Sequence, residues 1–530
     1  PTSSKVSETS AMGAGPRLSE PAKMTSSIAL PRRCLADCSP MHQRMASTTL
    51  DLPQPFGPTT PVIDPATEQI CAVFAEATTA EIDTAVAAAM RAQRAWWALS
   101  ALERTEALHE VATALAEVAP LVGEVMTREM GKPFVESNWE GGTSASSLRY
   151  YAELARHDQG RVAGAALPGQ THLTLKEPLG TVVSIVPFNF PVLLFGWQAA
   201  ASLAAGNAVI VKPSELTPMT LLALMEAFSV LPPGLVQVLT GGAEVGAALV
   251  GHPDTHAVAF TGSVTAAQAV ARTAAERFKP VLIEASGNDP FIVMPSAPID
   301  MVARGAAFAA FLNCGQVCTS AERFYVHDDV FDEFVEGLVI EARSLRLGSG
   351  LERVDLGPMA SERERQRVEA IVARAVEQGA AVLCGGKRPE ALPTGWFYEP
   401  TVLEVTHEMD LMHGETFGPL APVCRVSSLD EAIALANDSE VGLGANIYTE
   451  DLAEAFRAVH ELETGIVWVN TPLNDNDAVA FGGRKLTGSG RELGIEGLEQ
   501  FRRSKMVMIA PEARPDPEWF PYADEDAFPG

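Results

Sequence analysis

The chain has 530 residues, a hydrophobic fraction of 47% and a formal charge of −28. That length exceeds a single core, so about two or three domains are expected. No apolar run approaches the ~20 residues a membrane span needs, and the acidic balance argues against nucleic acid, whose binding wants a basic face. The charge fits a large soluble oligomer kept from further self-association. The seven cysteines, Cys34, Cys38, Cys71, Cys314, Cys318, Cys384 and Cys424, are scattered and odd in number, which reads as reduced thiols in a cytosol-like compartment. Cys314 and Cys318 have metal-like spacing but no second Cys/His pair beside them, so no metal is assigned.

Residues 1 to about 50 are rich in Ser, Thr, Pro and Ala, carry Arg17, Arg32, Arg33 and Arg44, and show no hydrophobic periodicity. This predicts disorder. An Arg- and Ser-rich, acid-poor leader has the composition of an organelle transit peptide; the preferred reading is translated sequence upstream of a true start at Met24 or Met45. From Thr59 the text turns orderly, and VIDPATEQI (62–70) predicts two short strands around an Asp-Pro turn. Thr79 is the expected N-cap of a helix whose apolar stripe begins at Ile82. Ala-rich helices are predicted through Trp96 and Trp97, over 102–117 and over 121–130, the last closed by Gly131 with Pro133 beyond. THLTLKE (171–177) predicts a strand of unknown partner.

Five apolar runs follow with helix-like text between them: GTVVSIVPF (180–188), NAVIVKP (207–213), LVQVLTG (235–241), AVAFTGS (257–263) and VLIEASG (281–287). Continuous Val/Ile-rich strands alternating with helices predict an α/β fold with a parallel sheet covered on both faces. Ligands bind beyond the carboxyl ends of such strands, and Asn189, Lys212, Gly262, Ser263 and Glu284 all fall there. Residues 290 to 493 read as a second α/β unit. Its parts are a helix before Cys318, a strand RFYVH (323–327), helices over 331–344 and 362–378, and a strand AAVLCGG (380–386). ETFGPLAPVCRV (415–426) and a buried strand in GIVWVN (465–470) complete it. LEQFRRSKMVMI (498–509) runs into a strand, and the acidic tail beyond Pro511 is expected to be loose. There is no G-x-G-x-x-G, P-loop or H-E-x-x-H; His252, His256, His407 and His413 read as loop residues.

Several of these residues suit one chemistry. Cys318, after Gly315-Gln316, is either a small buried hydrophobe or a nucleophile, and a free thiol needs its site to help it ionise. Asn189, held between Pro187 and Pro191, is either a turn residue or a neutral donor for a transient oxyanion. Glu284 lies in an apolar strand, where a carboxylate is paired or has a raised pKa, as a general base near neutrality requires. Lys212 and Glu215 fit a ribose clamp, the carboxylate repelling a 2′-phosphate and so favouring NAD. Gly262 and Ser263 would approach a pyrophosphate at a helix start.

Together, PFNFP (187–191), KPSE (212–215), FTGS (260–263), Glu284 in its strand and FLNCGQVCTSAER (311–323) resemble the aldehyde dehydrogenase superfamily, over 51 to about 509. The resemblance implies two Rossmann-like α/β domains, cofactor-binding and catalytic, plus a small β oligomerisation flap. It divides the chain into an NAD-binding domain (51–159 and 178–286), a catalytic domain (287–494), oligomerisation strands (160–177 and 495–510) and a tail (511–530). It implies that Cys318 attacks an aldehyde, that Asn189 and the Cys318 backbone N–H hold the oxyanion, and that Glu284 activates the deacylating water. Phe188, Lys212, Ser214, Glu215, Gly262, Ser263, Glu415 and Phe417 would bind NAD, with NADP the alternative. Two positions depart from the family pattern: Ala285-Ser286 after the glutamate, and Ala267 where a glycine is usual, which is expected to narrow the pyrophosphate approach. The expected product is a carboxylate; a CoA-acylating enzyme and a silent structural member are the alternatives. The expected substrate is a non-phosphorylated aldehyde, with succinate semialdehyde, lactaldehyde and betaine aldehyde types as candidates. In the funnel loop (471–485), Asp475 and Asp477 would repel an anion while Arg484 and Lys485 would attract one. A cytoplasmic homodimer or homotetramer is expected, in the mitochondrial matrix if the leader is a transit peptide.

Overall fold

In the computed structural model, which describes residues 59–157, 159–513 and 519–520, the chain enters through a hairpin, β1 (Thr59–Asp64) and β2 (Gln69–Ala75). The expected leader, 1–50, and most of the tail lie outside the described residues. At the hairpin turn Asp64 Oδ1 accepts from the Ala66 N–H at 2.8 Å, the local bond that favours Asp there. Three helices follow, α1 (Thr79–Ala98), α2 (Ala101–Met130) and α3 (Phe134–His157). The N-cap of α1 is Thr78, not Thr79: its hydroxyl accepts from the Glu81 N–H, and the Thr78 N–H donates back to Glu81 at 2.8 Å. That reciprocal box decides between the two threonines. The helices expected over 102–117 and 121–130 are one, α2, with Pro120 inside it. Proline removes a helical bond, but Leu115, Val122 and Met126 keep one buried stripe across it. Gly131 closes the helix at φ 88°, the left-handed cap that glycine adopts without strain.

After β3 (Gly160–Ala163) and β4 (Thr171–Pro178), the five predicted runs appear as β5 (Thr181–Ile185), β6 (Ala208–Lys212), β7 (Val236–Val238), β8 (Ala257–Thr261) and β9 (Val281–Glu284). They pair in parallel in the order β9-β8-β5-β6-β7. Every residue of β5, β6 and β8 is buried, which is why these strands read as continuous apolar text. Helices α4 (Pro191–Ala204), α5 (Pro218–Phe228), α6 (Ala243–Gly251) and α7 (Val264–Ala275) make the crossovers.

The second unit contains β10 (Asp289–Val293), α8 (Ile299–Phe311), β11 (Ala321–His327), α9 (Phe331–Ser344) and α10 (Glu362–Glu377). It continues through β12 (Ala381–Cys384), β13 (Thr401–Glu404), β14 (Leu420–Val426), α11 (Leu429–Asn437) and β15 (Val441–Gly442). It ends with β16 (Asn446–Tyr448), α12 (Leu452–Glu461) and β17 (Trp468–Val469). Its sheet runs β12-β13-β14-β11-β10-β16-β17, parallel except at β12. Each sheet has its own apolar cluster, one around Val183 and Ile210, the other around Phe291 and Phe324. The chain then crosses back. Strand β18 (Arg484–Lys485) pairs with β15, and β19 (Gly488–Ser489) lies against β9 with Gly488 opposite Glu284. After α13 (Gly494–Glu499), β20 (Arg502–Ile509) pairs antiparallel with β4 along its whole length. THLTLKE is therefore the central strand of a three-stranded sheet, between β3 and the last strand of the same chain.

Candidate active site

Helix α8 delivers the chain to a turn in which Asn313, Cys314 and Gly315 are all left-handed, at φ 49°, 57° and 70°. Gly315 is required there, since a Cβ would stand 2.0 Å from the Gly418 carbonyl oxygen. For a non-glycine residue this conformation costs ~1–3 kcal/mol and persists only when the surroundings enforce it. They do. The Asn313 N–H donates to Glu136 at 3.1 Å, and its amide donates to Asn189 O and Gln316 O, both at 3.2 Å. Buried Gln316 donates to Asn313 O and accepts from the Ala360 N–H, each at 3.0 Å. The turn leaves Cys318 partly exposed while Cys314 is buried at 1% exposure. Cys314 lies in the apolar cluster of the second unit, and burial drives its thiol pKa far up.

Asn189 follows β5 and is 2% exposed. Its backbone carbonyl accepts from Lys132 Nζ at 2.5 Å. Lys132 is itself buried in an ion pair with Glu140, whose other oxygen accepts from the Val192 and Leu193 N–H groups at 3.1 and 3.0 Å. The carboxamide oxygen of Asn189 has no partner, so the side chain is positioned by its backbone. The Lys132–Glu140 pair was not legible as part of a site; its only signal was a lysine in REMGKP.

Glu284 ends β9 at 3% exposure, and neither carboxyl oxygen has a hydrogen-bond partner, although the Cys318 thiol and Thr261 hydroxyl face it. Burial, then the nearby Glu492 carboxyl, pushes its pKa up to about 8. Burial, then Glu284, holds the Cys318 thiol well above its ordinary range. Glu492 is pushed up to about 7 by burial; it accepts from Gln198 Nε2 at 2.9 Å, which also donates to Thr261 at 3.2 Å. Sequence reasoning missed Glu492 and Gln198, and the available signal was a glutamine in the apolar text of α4. The departures at Ala285 and Ser286 are accommodated by Thr487, whose carbonyl takes the Ala285 N–H at 2.5 Å and whose hydroxyl donates to Ser286 O at 3.0 Å. Gly287, by contrast, is fixed: a Cβ there would meet the Cys318 carbonyl oxygen at 2.0 Å.

The residues assigned to the cofactor collect along the same edge of the sheet. The rings of Phe188 and Phe417 meet edge to face, 5.9 Å between centroids. Glu415 accepts from the Gly287 N–H at 3.2 Å. Its loop is held by Glu322, another residue missed, which accepts from the Thr416 and Phe417 N–H groups at 2.8 and 2.7 Å. Lys212 ends β6, donating to Pro213 O and Gly241 O at 2.6 and 2.9 Å, and Ser214 accepts from the Leu216 N–H at 3.3 Å. Glu215 is exposed at this corner, and a Cβ on Gly242 would stand 3.2 Å from its Oε1. Ser263 is the N-cap of α7, and the Gly262 N–H donates to Glu284 O at 3.1 Å. Ala267, in the first turn of α7, is buried at 5% exposure in the core cluster. A glycine-lined corner with a ribose-type carboxylate, next to a helix start, fits a dinucleotide.

This arrangement defines a class. Residues 54–507 match the model of the aldehyde dehydrogenase family, and the chain belongs to it: an enzyme that oxidises an aldehyde with reduction of NAD(P). It is 38% identical to 3-sulfolactaldehyde dehydrogenase of Pseudomonas putida, over 90% of this chain and 98% of the relative. It is also 38% identical to the peroxisomal aminoaldehyde dehydrogenase 2 of Pisum sativum, over 84% and 92%. Among solved structures, betaine aldehyde dehydrogenase of Staphylococcus aureus in complex with NAD+ matches at a TM-score of 0.84 and 30% identity, covering 87% of this chain and 94% of that one. No helix among the described residues is long and apolar enough to cross a membrane.

Proposed function

We propose that Cys318, Glu284 and Asn189 carry out hydrolytic oxidation of an aldehyde to its carboxylate. The observation that carries this reading is the buried Glu284 carboxyl, unpartnered and facing the Cys318 thiol. Cys318 Sγ bonds to the carbonyl carbon as its proton passes to Glu284, giving a thiohemiacetal whose oxyanion is met by Asn189 Nδ2 and the Cys318 N–H. Bound NAD(P) would supply the hydride acceptor, and loss of hydride from this adduct would leave a thioester on Cys318. Glu284 then passes the thiol proton to solvent, takes a proton from water as the new C–O bond forms, and returns that proton to sulfur as the C–S bond breaks, which restores the thiol; the acid product ionises to the carboxylate. Phe188, Lys212, Ser214, Glu215, Gly262, Ser263, Glu415 and Phe417 hold the cofactor. Glu215 favours NAD by repelling a 2′-phosphate. A CoA-acylating enzyme would gain nothing from a water-activating carboxyl.

The finer reading is a non-phosphorylated aldehyde that is uncharged or cationic. In the funnel loop, Asp477 accepts from Ser146 and Ser147 of α3 at 2.8 and 2.5 Å. Lys485 donates to Asn437 O and Ser439 O and pairs with Glu463. The proposed division is a cofactor-binding domain (51–159 and 178–286) and a catalytic domain (287–494), with the presence of two apolar clusters in support. Exposed Val162, Leu175, Met506, Met508 and Ile509 on the β3-β4-β20 flap support a homo-oligomer; the compartment proposed is the cytoplasm. The test is NADH absorbance with purified protein, NAD and a panel of charged and neutral aldehydes, without CoA. Steady turnover that is abolished by Cys318→Ala and reduced to a slow single-turnover burst by Glu284→Gln is expected. NADH appearing only after CoA is added would overturn the hydrolytic reading.

A further inference from the structure

His407 and His413, which read as separate loop residues, meet on the far side of the second sheet. His407 follows β13 and is buried at 8% exposure, its Nδ1 3.0 Å from the Tyr325 hydroxyl of β11 and its Nε2 3.0 Å from Asp438 Oδ2 at the end of α11. The His413 ring stands edge-on to it at 4.8 Å between centroids. One ligand atom from each of His407, His413 and Asp438 lies within 4.8 Å of the other two. We propose that these three side chains hold a divalent transition-metal ion, zinc by ligand type, with solvent completing the shell.

Several features point the same way. Two imidazoles and a carboxylate are a borderline N/O set that suits zinc and not magnesium or calcium. Ligands about 2.0–2.1 Å from a tetrahedral zinc stand about 3.3 Å apart; the His407–Asp438 pair, at 3.0 Å, is already near that spacing. His413 sits on an exposed loop whose side chain needs only to swing inward. Tyr325 supplies the outer contact that ligating histidines have, fixing the ring through Nδ1 so that Nε2 faces the site. One positive group lies behind the cluster. Arg323 donates to the Tyr325 hydroxyl at 3.4 Å and also to Asn288 O, Leu435 O and Ala436 O. The metal would take the place of a proton between Nε2 and Oδ2. It would pin the loop whose Met412 carbonyl accepts from Asn288 at 3.3 Å, three residues before Glu415.

Equilibrium dialysis of metal-free full-length protein against zinc alone, with bound metal counted per chain, tests this. The expected result is an equivalent retained in Cys318→Ala and lost in both His413→Ala and Asp438→Asn, with Tyr325→Phe weakening it by ~10–100-fold. Both ligand variants are at exposed positions, and unchanged NADH formation without zinc will show that they fold. Cobalt in place of zinc should give weak visible bands without a thiolate charge-transfer band. Zinc uptake that is the same in parent, His413→Ala and Asp438→Asn, or no uptake by the parent, would overturn the proposal.

Discussion

Two buried glutamates in different regions of the cofactor-side unit show how burial alone differs from a poised base. Glu129, on α2, is 2% exposed; its oxygens accept from the Met219 N–H at 2.6 Å, the Thr220 N–H at 2.8 Å and the Thr220 hydroxyl at 2.5 Å. Those donors open α5, where a carboxylate also meets the favourable end of the helix dipole. Glu284, equally buried, has no backbone donor on either oxygen among the described residues and is faced only by the Cys318 thiol and the Thr261 hydroxyl. Burial pushes both up to about 8, so what separates them is that a backbone N–H occupies each oxygen of Glu129. Glu129 is a structural bolt between two helices. Glu284 is left to find its partner in the reaction.

The sharpest way to break the comparison begins beside Glu284. Cys318→Ala removes the only thiol facing that carboxyl among the described residues, and NADH formation should fall by at least ~10⁴-fold. Residual steady turnover would mean that another group is the nucleophile. Next comes Glu284→Gln, expected to lower steady turnover by ~10²–10⁴-fold, with the wild-type rate rising through a midpoint of about 8 and the variant losing that rise. The same substitution has a stability signature. Folded Glu284 keeps its proton up to about 8, whereas its ordinary value is 4.5. Between those values the folded state binds more protons than the unfolded one, so stability falls as pH rises through this window. Glu284→Gln lacks that loss, and its Tm should gain on wild type from pH 5 to about 8. A constant Tm difference over the window would show that Glu284 is ionised throughout.

Glu129→Gln should do the reverse. An amide nitrogen would confront one of the N–H donors, costing ~1–3 kcal/mol in urea unfolding while leaving turnover per folded molecule unchanged. A large loss of turnover at full stability would undo the distinction between bolt and base.

Why one of these glutamates was legible and the other was not follows from what a linear pattern carries. Glu284 interrupts VLIEASG, a strand so apolar that its charge stands out. Glu129 sits in helical text where acids are ordinary, and its partners lie 90 and 91 positions away. The same holds for Glu322 with Phe417, Gln198 with Glu492, and Lys132 with Asn189, all joined only by folding. The parallel sheet was legible because strands buried on both faces permit almost nothing but Val, Ile and Ala. The misreadings were local competitions. Two adjacent threonines offered the same cap until Glu81 selected one, and Pro120 broke the helical pattern on paper while the buried stripe around it carried the helix through.

The smallest expected effect tests the other half of the site, where charge is exposed. Lys212 is buried, and its Nζ donates to Pro213 O and Gly241 O, with a third N–H left for a ribose hydroxyl. Choice between the dinucleotides then rests on Glu215, which stands in solvent beside Gly242. A charge in that setting is screened, and its removal changes an interaction by about 1 kcal/mol, ~5-fold in a ratio of constants. Glu215→Gln should therefore leave kcat with NAD unchanged and shift the NADP-to-NAD ratio of kcat/KM by ~5-fold towards NADP, with the shift shrinking as salt is raised. A shift that does not respond to salt would point to a shape contact in place of charge repulsion. No shift at all would move the selection to some other residue of this corner.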